Sequence, residues 1–219
     1  MLILLILLLE IILYSDNCIP TQTAEEVYST TTSTTSSTTS TTTSTTTTTT
    51  SPTTTGIWSC PDSDWTIFDR GTYSWCMRPA YGNAYLGSAG SLCTTLDSSA
   101  VLSGFQDLAE LSELSSEAAA YDSSILYMAI GAIRSDNCKT QASLSTAACS
   151  GTNIFVWDDG HTTGSAGFDW FVNTPNGCFN TGCDIANWAI VYPSLAKLDD
   201  FPANWAVGGA ICGMEATYS

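Results

Sequence analysis

Basic residues are scarce in this 219-residue chain: five Lys and Arg stand against 21 Asp and Glu, for a net charge of -16. Nucleic-acid binders neutralise phosphates with basic patches, and proteins that dock on anionic lipid need the same, so the balance argues against both. It suits a soluble extracellular surface and leaves oxygen-ligand cation sites open. His161 is the only histidine, which leaves no ordinary zinc site. It follows a turn and is expected to be exposed. No Asn-x-Ser/Thr sequon occurs, so N-glycans are not expected, and no phosphate-cradling Gly loop is present. Long apolar runs are missing too. The longest, Met1 to Leu13, is nearly all Leu and Ile, is broken by Glu10, and falls short of the roughly 20 residues of a membrane span.

What that run does match is the apolar region of a secretory signal peptide, although no Lys or Arg precedes it. Residues 1–18 are therefore read as a cleaved leader, with cleavage near Ser15 to Cys18, and stable membrane insertion is not expected. If Cys18 survives cleavage, it is an odd cysteine free to pair between chains as a dimer. From Ser29 to Thr55 every residue except Pro52 is Ser or Thr. Such a tract has no apolar area to offset the entropy of ordering it, and in a secreted protein it reads as a disordered, O-glycosylated, mucin-like stalk over residues 19–56. Fully extended, the tract would reach roughly 80 Å at about 3.1 Å per residue.

Composition changes at Ile57. The segment 57–219 carries all seven Trp and eight of the nine Cys and is long enough for one sizeable core. Asp64 to Phe68 alternates like a strand, and Tyr85 to Leu96 could be helical around Cys93. Ser103-Gly104-Phe105-Gln106 fits a capping box with Ser103 as N-cap. Phe105, Leu108, Leu111 and Leu114 then recur at helical spacing, and the helix should end near Tyr121. Ile125 to Ile133, Asn153 to Trp157, Ile185 to Val191 and Ala206 to Cys212 read as short strands. Asp158-Asp159-Gly160 is a turn. Between Gly160 and Cys183 lies a long loop, of a length usually functional or braced by crosslinks.

An even set of cysteines behind an apolar leader reads as a disulfide framework in an oxidising compartment. Eight cysteines allow about a hundred connectivities, so parity alone does not pair them. Trp58-Ser59-Cys60-Pro61 with Trp65 and Phe68, Cys93 followed by Ala100 to Gln106, Ile130-Gly131-Ala132-Ile133-Arg134, Trp157-Asp158-Asp159-Gly160, and the late Cys183 and Cys212 occur in an order that resembles a C-type lectin-like domain of the nematode secreted type. The resemblance covers about residues 57 to 214. It implies an α+β fold: two helices on small antiparallel sheets, a long irregular loop region, and disulfide staples. It also implies the pairs Cys60–Cys76, Cys93–Cys212 and Cys138–Cys149. The family's partner for Cys183 is missing from Asp199 to Trp205, so parity points to a local Cys178–Cys183 bridge.

Calcium-dependent members of that family bind sugar through one Ca²⁺, held by a Glu-Pro-Asn or Gln-Pro-Asp motif, an acid near the following cysteine, and a Trp-Asn-Asp motif. Here these read Thr174-Pro175-Asn176, Thr181-Gly182 before Cys183, and Leu198-Asp199-Asp200. Asn176, Asp199 and Asp200 remain as calcium ligands, with Thr174 a poor fourth, and two carboxylates hold Ca²⁺ only weakly. The same residues also fit an ordinary loop with a Pro turn and a solvated acidic pair. Trp170, in the Phe168 to Phe171 cluster, is a candidate for stacking on a ligand, although a core position suits each Trp as well. Asp158 and Asp159 are turn-forming carboxylates rather than a catalytic pair. A Cys–His nucleophile would need a free thiolate. The expected function is therefore binding rather than catalysis. The family resemblance implies carbohydrate recognition, of microbial or self glycans, with calcium dependence doubtful. The alternative is a calcium-independent protein-binding or structural extracellular module.

Overall fold

In the computed structural model, residues 56–144, 146–149, 154–177 and 185–219 are described. The expected leader, the stalk up to residue 55, and both members of the Cys178–Cys183 pair lie outside them.

Among the described residues, ten strands and three α-helices follow one another. They are β1 (Trp58–Ser59), β2 (Thr66–Asp69), β3 (Ser74–Tyr85), α1 (Gly90–Leu96), β4 (Val101–Leu102), α2 (Leu108–Tyr121), β5 (Met128–Arg134), α3 (Gln141–Leu144), β6 (Phe155–Trp157), β7 (Trp188–Tyr192), β8 (Lys197–Phe201), β9 (Ala206–Glu215) and β10 (Thr217–Tyr218). The main sheet runs β2-β3-β9-β5-β7-β8, with β4 on β9 and β6 on β5, while β1 and β10 form a separate ribbon. The pairing of β5 with β9 is parallel; β3 with β9 is antiparallel over almost the whole length of both.

Strand alternation explains why the sheet is covered on both sides. Trp75 and Met77 of β3 point to one face, where they meet Phe105, Leu111 and Leu114 of the α2 side and Met128, Ile130 and Ile211 of the sheet. Cys76 and Ala80 point to the other, against Leu86, Ala89 and Cys93 of the α1 side with Ala129, Ile190 and Val207. Each such buried large side chain contributes about 1.5–3 kcal/mol. Gly131 in β5 is needed for the approach of β4: a Cβ there would collide with the Leu102 carbonyl, and its N–H donates to the Ser103 carbonyl at 2.9 Å.

The three bridges implied by the resemblance are present. Cys60–Cys76 closes the N-terminal hairpin, Cys93–Cys212 ties α1 to β9 across a separation of 119 residues, and Cys138–Cys149 staples the segment after β5. On the chain-entropy account the longest loop is worth about 5 kcal/mol.

Local details correct the sequence reading. The long helix is capped by Asp107, whose carboxylate accepts from the N–H groups of Ala109 and Glu110, rather than by Ser103. Ser103 is buried and its hydroxyl accepts from Trp75 Nε1 at 2.9 Å. The core indole engages the Ser103 hydroxyl, which leaves the cap to Asp107. Leu108, expected on the apolar face, is exposed at the first position of the helix. His161 is half-buried rather than exposed, with its ring 4.4 Å from that of Trp75. Asp159 is a turn-former, as expected: it accepts from the N–H groups of Gly104, His161 and Thr162. No helix among the described residues is long and apolar enough to cross a membrane.

Candidate functional site

β5 ends on Arg134, at the close of an apolar run, and its side chain is almost wholly buried. A buried guanidinium must find acceptors. Its Nη2 donates to Asp200 Oδ2 at 2.6 Å, its Nε to the Ala186 carbonyl at 3.2 Å, and its Cζ lies 4.8 Å from the Phe155 ring centre. Asp200 comes from β8, whose pairing with β7 fixes its depth. The same carboxylate accepts from the backbone N–H of Asn176 at 2.9 Å and of Gly177 at 2.7 Å. Gly177 has a φ of +79°, a conformation that favours glycine, and a Cβ there would press on the Leu144 side chain. Asp200 thereby clamps the loop at Thr174-Pro175-Asn176, in which the Thr174–Pro175 peptide is cis.

Asp199 faces the other way. Its Oδ2 accepts from the Tyr192 hydroxyl at 2.8 Å and its Oδ1 from the Asp200 N–H at 2.8 Å. Burial pushes both the Asp199 carboxyl and the Tyr192 phenol up. Burial also pushes the Asp200 carboxyl up, while the two backbone N–H donors and Arg134 pull it back down. Beside these groups opens a cavity of about 330 Å³, walled by Tyr127, Tyr192, Phe201 and Trp205 and with Asn176 and Asp199 among its polar groups. Its volume lies in the range of small-ligand sites. Tyr127 organises the wall, with ring centres 5.4 Å from both Tyr192 and Phe201 and 6.0 Å from Trp205.

The residues singled out as calcium ligands are thus brought together, but the carboxylate oxygens of Asp199 and Asp200 are turned to protein donors. Ca²⁺ needs six to eight oxygens, about; here both oxygens of Asp200 and both of Asp199 already accept hydrogen bonds. Thr174 donates its hydroxyl to the Phe171 carbonyl of its own turn, at 2.9 Å. A second cation beside the Arg134 guanidinium would be repelled. The donor set fits the internal guanidinium and does not fit Ca²⁺. Among the described residues no group of three or more His, Cys, Asp or Glu could hold a metal ion.

Trp170 pairs through its backbone with Leu198, next to the clamp. Its ring, however, packs into the core against Phe155 (4.9 Å) and stacks on Phe168 (5.5 Å). Among the described residues of that loop, the exposed large apolar side chains are Phe171 and Val172. Arg134 was missed as a site residue, though a signal existed: one of only five cationic residues ends a buried strand, which demands a buried partner. The aromatic wall gave no signal, since its four members are scattered from the residue before β5 to the turn before β9.

A family model described as "C-type lectin domain-containing protein 141/158" matches residues 66–187, more than half of the chain. No curated protein matches. Among solved structures, the C-type lectin CEL-I from Cucumaria echinata is 17% identical, covering 73% of this chain and 99% of its own, with a TM-score of 0.51. Human lithostathine is 16% identical, covering 72% and 91%, with a TM-score of 0.50. The cow C-type carbohydrate-recognition domain of CD23, crystallised with a GlcNAc2Man3 oligosaccharide, is 18% identical, covering 74% and 99%, with a TM-score of 0.50. At these identities the likeness is one of fold.

Proposed function

The chain belongs to the C-type lectin domain-containing protein 141/158 family, and from that membership we propose that it is a secreted binding protein that recognises carbohydrate without calcium. A cleaved leader over residues 1–18 and an O-glycosylated Ser/Thr stalk over residues 19–56, of the nematode secreted type, belong to the same reading. The ligand surface is the cavity beside Asp199, with Asn176 on its loop side and the Tyr127, Tyr192 and Trp205 rings as apolar wall. The observation that carries the reading is the Arg134–Asp200 pair: a guanidinium supplies, from within the chain, the positive charge that orders the loop. Aromatic faces beside a few convergent polar groups suit a sugar ring, whose C–H face stacks while its hydroxyls bond.

Binding of the secreted full chain to immobilised glycans tests this, with calcium and with chelator. The expected result is binding that chelator leaves unchanged, together with no rise in melting temperature at millimolar Ca²⁺. Chelator-sensitive binding, or a calcium-dependent rise, would sink the calcium-free reading. A second reading, a protein-binding module, draws on Phe171 and Val172, which are 40% and 69% exposed on the long loop. Absence of glycan binding with retained capture by an extracellular protein through Phe171 would favour it.

A further inference from the structure

A second cavity, of about 550 Å³, opens between the N-terminal hairpin and the end of α2, and shares no lining residue with the first. Tyr121 closes α2 and is 67% exposed, so its ring is open to solvent at the mouth of this cavity. Its orientation is set: it stacks on Tyr81 of β3, with ring centres 3.7 Å apart and planes 9° off parallel. One face is thus occupied and the other is turned outward. Glu117 lies one turn earlier on the same helix face. Arg78 of β3 stands opposite, held over the Trp65 ring at 5.7 Å and 3.6 Å from Asp64.

The chemistry around the ring is of mixed sign. Arg78 offers a planar fork of donors, while Asp64 and Glu117 offer acceptors. A ligand charged in one sense would meet a like charge on one wall. A neutral ring with adjacent hydroxyls can both donate and accept, and can lay its C–H face on an aromatic plane. The volume accommodates such a ring. Two electrostatic features agree. Burial pushes the Tyr81 phenol up to about 12, so it keeps its proton as a donor. Burial likewise pushes the Glu117 carboxyl up, with Arg78 pulling it back down.

We propose that this cavity is a saccharide subsite, with one neutral sugar ring on the outer face of Tyr121 and its hydroxyls on Arg78, Glu117 and Asp64. The subsite does not depend on the pocket beside Asp199, and either can fail without the other. The helix end lets Tyr121 be replaced without opening the core. The test is backbone amide NMR of the full chain titrated with the methyl glycosides of mannose, galactose and N-acetylglucosamine at millimolar concentration. At least one should shift Arg78, Glu117 and Tyr121 together. Tyr121→Ala should weaken that response about tenfold, whereas Tyr121→Phe should keep it, because the ring and not the hydroxyl is the platform. Asp199→Asn should leave it unchanged. No shift at these residues with any of the three sugars, or a shift that Tyr121→Ala does not weaken, would overturn the subsite. Shifts confined to Asn176 and Asp199 would overturn it too, while supporting the other pocket.

Discussion

Arg70–Glu110 and Arg134–Asp200 are both buried guanidinium–carboxylate pairs, and they differ in what they join. Arg70 grips Glu110 with two nitrogens, at 2.9 and 2.7 Å, and adds bonds to Thr162 and the Gly104 carbonyl. Glu110 Oε2 also accepts from the Gln106 N–H just before α2. This pair ties the turn of the β2–β3 hairpin to the start of α2 and to the turn after β6, all elements held independently by ladders or helix bonds. Arg134 meets Asp200 through one nitrogen, and Asp200 spends its remaining capacity on the backbone of Asn176 and Gly177. The same chemistry therefore braces the frame in one place and organises a loop in the other. A fork fixes two rigid elements against each other. An end-on contact leaves the carboxylate free to shape a segment that has no ladder of its own.

Glu110→Ala should break the comparison most visibly. It strands Arg70 in the core and removes an acceptor at the helix start, for a loss of about 3–5 kcal/mol in the urea midpoint analysis and a lower melting temperature for the whole domain. Asp200→Ala should cost less, near the low end at about 3 kcal/mol, because water can reach a loosened loop. Its mark should be local: faster amide exchange from Asn176 to Gly177 with α2 still protected. If Asp200→Ala instead melted α2 as Glu110→Ala does, the two pairs would be equivalent and the distinction would fall. The smallest effect concerns Asp199. Its folded-state carboxyl is raised above the ordinary 3.8 by burial. The folded state thus binds that proton more tightly, and the stabilisation is fully present below about 3.8 and lost as pH rises through the folded value. The stability of the wild type relative to Asp199→Asn should rise as pH falls from neutral towards that value. An unchanged or reversed difference in denaturant midpoint would show that burial does not govern this group.

Much of the frame was legible because its signals are local or stem from cysteine order. Leu111 and Leu114 mark one face of α2, Tyr121 ends it as expected, and β5 appears as a short apolar run. The cap was misjudged because Ser103 and Asp107 are both good N-caps, and only the demand of Trp75 for an acceptor removes Ser103 from the competition. His161 was misplaced because a residue after a turn looks solvated until Trp75, far earlier in the chain, is brought against it. The ligand region was legible only as a set of names. Thr174, Asn176, Asp199 and Asp200 were identified as neighbours, while the residue that governs them, Arg134, was read as the end of a strand.

By itself, the sequence determined the balance of charge, the periodicities of helix and strand, and the number of cysteines, because each is a property of neighbouring residues or of composition. With the family's cysteine order it also indicated the three bridges in the structure. Tertiary structure alone decided which way each buried carboxylate turned. A carboxylate on a solvated loop can bind a metal ion, but one that packing sets against Arg134 and two backbone N–H groups has both oxygens turned to protein donors. Which occurs depends on residues 66 positions away in the chain, and no local pattern carries that distance.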